Sequence, residues 1–481
     1  MEKVELKLDE IRQTFESGKT RSSDWRKAQL RGLINLINEN EEAMFEALHQ
    51  DLGKHPVESF RDEVGVLLKS ASNSLNSLDK WMRPQKAQIP LLLFPASGQV
   101  MPEPFGAVLI FGSWNFPFSL LIEPLIGAIS AGNTSILKPS EMSPKCSSFL
   151  ANTIPKYLDS KAIHVIQGGI DVSQQLLLLK WDKIFFTGSQ NVGRIVMSAA
   201  AKHLTPVTLE LGGKSPAVID INSISSDMKV VAKRIIGGKW GPCNGQACIS
   251  IDYVLVEDKS SSLLIDSLKR IIRKFYGENP KESNCISKIV NRNNFDRLCN
   301  LIKDPSVAAS IVHGGSIDEE QMFIEPTILL NPPLDSQLMT EEIFGPLLPI
   351  ITVNNIQESI EFINKRPKPL VLYVFTKDEA FKKQIVTQTS SGSVVFNDTM
   401  VQFICDELPF GGVGNSGYGK YHGKYSFDTF SHSKAVMQRG FYPEMEPRYP
   451  PWNSFKLAFI KLAYSFKYFQ LVLLLLGLKK H

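Results

Sequence analysis

From Gly106 onward, short apolar runs alternate with helical stretches, and that alternation constrains the fold more than any other feature of the chain. Ala107-Val108-Leu109-Ile110-Phe111, Ser135-Ile136-Leu137-Lys138, Ala162-Ile163-His164-Val165-Ile166 and Lys183-Ile184-Phe185-Phe186-Thr187 read as buried strands. Leu- and Ala-rich segments separate them. A strand that is apolar on both faces cannot face water, so helices must cover both sides. Repeated βα units therefore predict a parallel sheet, which takes its ligands at the carboxyl ends of the strands. The pattern resumes after Glu210 with Ala217-Val218-Ile219, Tyr253-Val254-Leu255-Val256 and Leu347-Leu348-Pro349-Ile350-Ile351, which predicts a second α/β domain.

The flanks differ. Residues 7–83 carry charged and apolar residues at helical spacing, with a break at Thr20-Arg21-Ser22-Ser23. Pro84, Pro90, Pro95 and Pro102 bracket two short apolar stretches, so 84–102 reads as an extended hairpin or arm. Residues 406–435, rich in Gly, Tyr and His, predict irregular backbone. The charged start Glu2-Lys3-Val4-Glu5 lacks the apolar core of a secretory signal. Beyond Lys456, Lys461 and Lys467, an apolar patch runs from Tyr468 to Leu478, with Lys479 and Lys480 behind it. It is about half of the ~20 residues a spanning helix needs. Two readings stay open: a basic amphipathic helix lying in a membrane interface, or a terminal helix packed on the protein or a partner subunit.

A net charge of +4 is small for 481 residues and does not suggest nucleic-acid binding. The six cysteines include no CxxC pair and no neighbouring His ligand, which argues against a zinc site or a disulfide framework and for a reducing compartment.

Six segments carry candidate chemistry. Cys248 ends Asn244-Gly245-Gln246-Ala247-Cys248, and Glu210 lies in Leu209-Glu210-Leu211-Gly212-Gly213-Lys214. A thiol is a strong nucleophile once deprotonated. Glu210 can act as base either to that thiol or to a water that attacks a thioester. Asn115, in Trp114-Asn115-Phe116-Pro117, can donate its side-chain N–H to an oxyanion. Gly188, Ser189 and Gly193 form a strand–turn–helix junction whose free N–H groups can attract a phosphate. Lys138 and Glu141 stand at another strand end and can hold the two hydroxyls of a ribose. Glu342 and Phe344 are two apart; on an extended segment they would face one side, the carboxylate toward a ribose and the ring toward a flat heterocycle.

Taken in this order, these segments closely resemble the aldehyde dehydrogenase superfamily over residues of about 10 to 440. The hydrophobic tail and the absence of a long N-terminal arm resemble the class 3 branch, and the stretch from Gly238 to Tyr253 resembles its plant members. The resemblance implies an α/β fold: a dinucleotide-binding parallel-sheet domain (1–83 and 103–209), a second α/β catalytic domain (210–405), an extended bridging or oligomerisation arm (84–102 and 406–440) and a C-terminal tail (441–481). It implies Cys248 as nucleophile, Glu210 as general base and Asn115 as oxyanion donor. Lys138 and Glu141 match the adenosine-ribose clamp, Gly188, Ser189 and Gly193 the pyrophosphate turn, and Glu342 with Phe344 the nicotinamide-ribose side. The expected reaction is NAD(P)-dependent oxidation of aldehydes to carboxylic acids, with medium- to long-chain aliphatic aldehydes favoured by the tail. Glu141 would repel a 2′-phosphate, which leans toward NAD over NADP. Trp114, Phe116, Phe118, Phe396 and Phe403 are candidates to line an apolar funnel, and Cys243 can either pair oxidatively with Cys248 or lie inert. A homodimer is expected, cytoplasmic or peripherally attached to the endoplasmic reticulum membrane, with no metal. Two competing classes remain: a cysteine esterase that needs no nicotinamide, and an inactive membrane scaffold.

Overall fold

Two parallel sheets carry the molecule. In the computed structural model, which describes residues 2–478, the first sheet is six-stranded. Its strands, in spatial order, are Gly417–Tyr418, Val207–Leu211, Lys183–Gly188, Ala107–Phe111, Thr134–Lys138 and Ile163–Val165. All pairs are parallel except the first, in which Gly417 faces Glu210 across an antiparallel bridge. The Ala107 and Thr134 strands are buried at every position, as their unbroken apolar runs require. Chain order reverses at the Ala107 strand: the next two strands lie on one side of it, and the two after those on the other. Such a reversal leaves a crevice at the carboxyl ends of the central strands. Loops after Phe111 and after Gly188 open there.

The second sheet is seven-stranded, in the order Ile311–His313, Thr327–Leu330, Leu347–Val353, Tyr253–Glu257, Pro216–Ile219, Val371–Phe375 and Ser393–Phe396. Only its first pair is antiparallel. Every strand expected from the sequence is present within a residue or two.

The N-terminal segment is helical, with Glu2–Glu16, Ser23–Glu39, Glu41–Leu52 and Gly65–Trp81 as its long helices. The expected break falls at a 3₁₀ turn, Lys19–Arg21, after which the Ser22 side chain accepts from the Asp24 N–H at 3.2 Å and restarts the helix. The Ser119–Ala131 helix is buried at all its residues.

Contacts divide the chain into two units: residues up to Trp81 with Pro104–Ser431, and Met82–Glu103 with the chain from His432 on. In the second unit Gln85–Ala87 pairs antiparallel with Ser97–Pro104, as an extended arm should, and Ser431–Gln438 adds a third strand. The expectation of irregular backbone over 406–435 is only partly met. Gly423–Thr429 is a helix and Ser431–Gln438 a strand, because tertiary pairing overrides the weak local preference of a Gly- and aromatic-rich stretch.

The tail forms two helices, Ser454–Tyr464 and Tyr468–Leu475, separated by Phe466 at φ +54°. Phe459, Ala463, Leu471 and Leu474 pack together between them. Phe469, Val472, Leu475 and Leu478 remain exposed on the outer side. Among the described residues, no helix is long and apolar enough to cross a membrane. Lys479 and Lys480, which the sequence reading set behind the apolar patch, lie outside the described residues.

Candidate active site

The crevice in the first sheet leads to a cavity of about 340 Å³. Its walls are mostly apolar, with Phe116, Leu120, Ile249, Phe403 and Phe410 among them, and both Cys248 and Glu210 reach it. Two of the expected funnel aromatics, Phe116 and Phe403, line it. The others do not. Trp114 packs edge-on against Phe344 at 5.4 Å, Phe118 is buried against Phe149, and Phe396 belongs to the core of the second sheet.

Glu210 is the fourth residue of the Val207–Leu211 strand and sits in register with Thr187 on the neighbouring strand. Both side chains point into the cavity. Neither Glu210 carboxyl oxygen has a hydrogen-bond partner among the described residues, and burial raises the acid well above the usual carboxylate range. A buried acid raised in this way binds a proton more firmly than an exposed carboxylate, which makes it a stronger base once ionised.

Cys248 follows an unusual turn. Cys243, Asn244 and Gly245 all have positive φ, at +49°, +53° and +79°. Non-glycine residues adopt that region only when their surroundings hold them there. Three anchors do so. Glu58 accepts from the Cys243 N–H at 2.7 Å, the Gln246 side chain donates to the carbonyls of Cys243 (2.9 Å) and Lys288 (3.0 Å), and Trp240 donates to Pro346 at 2.9 Å. A side chain at Gly245 would collide with the Gly345 carbonyl, so the turn lies directly on the loop that carries Phe344. The Cys248 thiol is pushed up to about 12, by burial first and then by the nearby Glu342 and Glu210 carboxyls. The backbone N–H groups of Cys248 and Ile249 donate toward the sulfur and act in the opposite sense. Cys243 is buried and its thiol is raised even further, chiefly by burial; all six cysteines are free.

Asn115 follows the Ala107 strand and is buried. Its side-chain nitrogen donates to the Gln246 carbonyl at 2.9 Å, which ties the Asn115 loop to the Cys248 turn. The second N–H of the same amide is left to point elsewhere.

The residues expected at a cofactor stand at carboxyl ends of strands of the first sheet or on loops against it. Lys138 ends the Thr134 strand and bonds Glu141 at 3.2 Å. Gly188 ends the Lys183 strand; Ser189 caps the Gln190–Ala201 helix and accepts from the Val192 N–H at 3.4 Å. A Cβ at Gly193 would stand 2.9 Å from a Leu211 methyl, so that helix lies close on the sheet. Glu342 accepts from the Gly213 N–H and lies so near Gly212 that a side chain there would strike its carboxyl. Its acid is pushed up to about 8, by burial first and Asp252 second. The segment is not extended as expected. Phe344 has φ +51°, which breaks the alternation; its ring packs on Trp114, while the Glu342 carboxyl lies against Gly212.

Sequence reasoning missed Lys54, Glu58 and Glu63. All three are buried beneath the site, and the charged helical stretch that holds them reads as ordinary surface.

The model of the Aldehyde dehydrogenase family matches residues 1–436. Aldehyde dehydrogenase family 3 member F1 of Arabidopsis thaliana is 60% identical over 100% of this chain and 99% of its own. Family 3 member H1 of the same plant is 49% identical, over 98% of this chain and 97% of its own. The substrate-bound structure of Staphylococcus aureus AldH superposes with a TM-score of 0.92 at 42% identity, covering 96% of this chain and 99% of that one. With a cysteine and a buried carboxyl lining one cavity of a two-sheet α/β fold, the chain belongs to the aldehyde dehydrogenase family, in its family 3 branch, and is an NAD(P)-dependent oxidoreductase acting on aldehydes.

Proposed function

We propose that this enzyme oxidises medium- and long-chain aliphatic aldehydes, over a broad range, to carboxylic acids by way of a thiohemiacetal and a thioester on Cys248. The observation that carries the reading is that thiol and carboxyl share one apolar cavity. An aldehyde carbon has no good hydride to give until a nucleophile has added. The ionised Glu210 carboxylate therefore takes the Cys248 thiol proton and passes it to solvent as Sγ bonds the carbonyl carbon, and the side-chain N–H of Asn115 and the Cys248 backbone N–H hold the oxyanion. Once the carbon is an acyl thioester, Glu210 draws a proton from water. The hydroxyl adds to the carbon, the C–S bond breaks with its electron pair going to sulfur, Glu210 returns the proton to Cys248, and the acid leaves.

The cofactor residues fit a dinucleotide. Gly188 lies where a Cβ would stand 2.6 Å from the Phe186 ring, so only glycine allows the backbone this approach at the helix start. Lys138 and Glu141 would hold the adenosine ribose; Gly188, Ser189 and Gly193 the pyrophosphate; Glu342 and Phe344 the nicotinamide side. NAD or NADP bound there supplies the acceptor for the departing hydride. The Glu141 carboxylate beside that ribose disfavours a 2′-phosphate and so favours NAD.

A steady-state series of n-alkanals from two to twelve carbons, run with NAD and with NADP, tests this reading. Each methylene buried in the cavity contributes up to about 0.8 kcal/mol, so kcat/KM should climb severalfold per carbon before levelling. A flat or falling series would remove the chain-length proposal, and equal use of both cofactors would remove the role given to Glu141.

For the tail, we take the interfacial reading. The exposed apolar residues of its two helices, with Lys456, Lys461 and Lys467 between them, support it. With that reading we also propose a cytoplasmic location, with peripheral attachment to the endoplasmic reticulum membrane. The exposed pair Val192 and Ile195, one turn apart on the Gln190–Ala201 helix, supports a homodimer. In flotation with vesicles of phosphatidylcholine and phosphatidylserine, the full chain should rise and a chain ending at Pro450 should not. Light scattering on the unfloated fraction should give twice the chain mass. Equal flotation of both chains would rule out the tail as the anchor.

A further inference from the structure

Lys54 is one of the largest fully buried side chains in the protein. Its ammonium donates to Glu63 Oε1 at 2.7 Å and to the Asn115 carbonyl oxygen at 2.8 Å, and it lies 4.1 Å from the centre of the Phe116 ring. An unpaired charge is not tolerated at such a position, so the pair is held by good geometry on both sides. The other Glu63 oxygen accepts from the N–H groups of Phe118 (2.9 Å) and Ser119 (3.1 Å). These lie at the start of the buried Ser119–Ala131 helix, where a carboxylate also meets the positive end of the helix dipole. Four residues on from Lys54, Glu58 accepts from Cys243 N–H at 2.7 Å and from Ser287 Oγ at 2.8 Å. One short segment thus grips both sides of the site. Lys54 holds the backbone of Asn115, and Glu58 holds the turn before Cys248.

We propose that Lys54 is a positioning residue for aldehyde oxidation: paired with Glu63, it fixes the Asn115 backbone so that the Asn115 side chain meets the oxyanion that forms beside Cys248. The proposal rests on the reading of Asn115 as the oxyanion donor. Lys54 touches neither cavity nor substrate; its effect passes through one carbonyl oxygen. That distinguishes it from a stability-only ion pair, because removing the pair should cost rate in proportion to what Asn115 itself contributes.

The test is a double-mutant cycle. Replacing the pair with Lys54→Met/Glu63→Gln removes both charges while leaving an amide oxygen to accept from Phe118 and Ser119, so neither member of the pair is left as a lone buried charge; Glu58, which also feels Lys54, keeps its bonds from Cys243 and Ser287. With n-octanal and NAD, this variant should lose about 10²-fold in kcat, the usual scale for misplacing a catalytic group by about an ångström, with KM for NAD unchanged. Asn115→Ala alone should lose about 10²–10³-fold. Combined with Asn115→Ala, the pair replacement should cost no further rate beyond about twofold, because the two changes act through one donor. Multiplying losses would overturn the proposal while leaving Asn115 as donor. A wild-type rate for Asn115→Ala would instead overturn the donor reading. Wild-type kcat in the pair variant overturns the proposal, and so does a pair variant that fails to fold, since the ion pair would then be structural alone.

Discussion

Cys248→Ala should lower NAD-dependent aldehyde oxidation by at least about four orders of magnitude, because no other group can capture the carbonyl carbon. Cofactor binding, read by nicotinamide fluorescence, should be retained, since the residues assigned to it lie on other loops. Robust turnover by the alanine variant would remove Cys248 from the mechanism. The wild-type thiol carries a second expectation. With its pKa pushed up to about 12, it holds its proton at neutral pH in the ligand-free enzyme. Alkylation by iodoacetamide should therefore be slow at pH 7 and rise about tenfold per pH unit toward pH 10, because only the thiolate reacts. A plateau already at pH 7 would mean that the burial and the two carboxyls described around the sulfur do not govern it.

Glu210→Gln should produce two effects of opposite sign. Turnover should fall by about 10²–10⁴-fold, the range for loss of a general base, and a pre-steady-state burst of NADH should appear as the acyl enzyme accumulates. Alkylation of Cys248 should become faster at any given pH, since the Glu210 carboxyl is one of the groups that raise the thiol. The pH profile adds a check. The carboxyl is raised well above its ordinary value by burial, so wild-type kcat should climb with pH as Glu210 loses its proton, and that limb should vanish in the glutamine variant. Turnover at the wild-type level near neutral pH would show that another group activates water.

Much of this was legible in the sequence, and the physical reasons are specific. The Ala107 and Thr134 strands are apolar at nearly every position because both faces are buried, so their runs stand out in one dimension. Glu210 and Asn115 sit at or just beyond a strand's carboxyl end, where a parallel sheet must expose its ligands, whereas Cys248 stood out by its Gly-Gln turn, five residues ahead of the Tyr253 strand. The rest depended on contacts between distant segments. Ser431–Gln438 is largely exposed and polar, so it carries no apolar alternation to betray a strand. The left-handed Phe344 lies in a stretch that reads as extended, and nothing in Glu342-Ile343-Phe344 announces the turn. Lys54, in the link between Leu52 and Pro56, and Glu63, nine positions on, lie in a charged stretch where charge usually means solvent; only folding reveals that both are sealed beneath Asn115.

The seating of Gly245 against Gly345, with Trp240 tied to Pro346, gears the two halves of the reaction to each other. The sulfur rides on one of these strips of backbone and the residues assigned to the nicotinamide ride on the other. Evolution therefore cannot retune them separately: a change in one strip that shifts it by a fraction of an ångström is felt at its neighbour. Adaptation to new substrates is then expected to accumulate along the distant aldehyde-facing walls, such as those formed by Phe403 and Ile404, where variation leaves that gearing untouched.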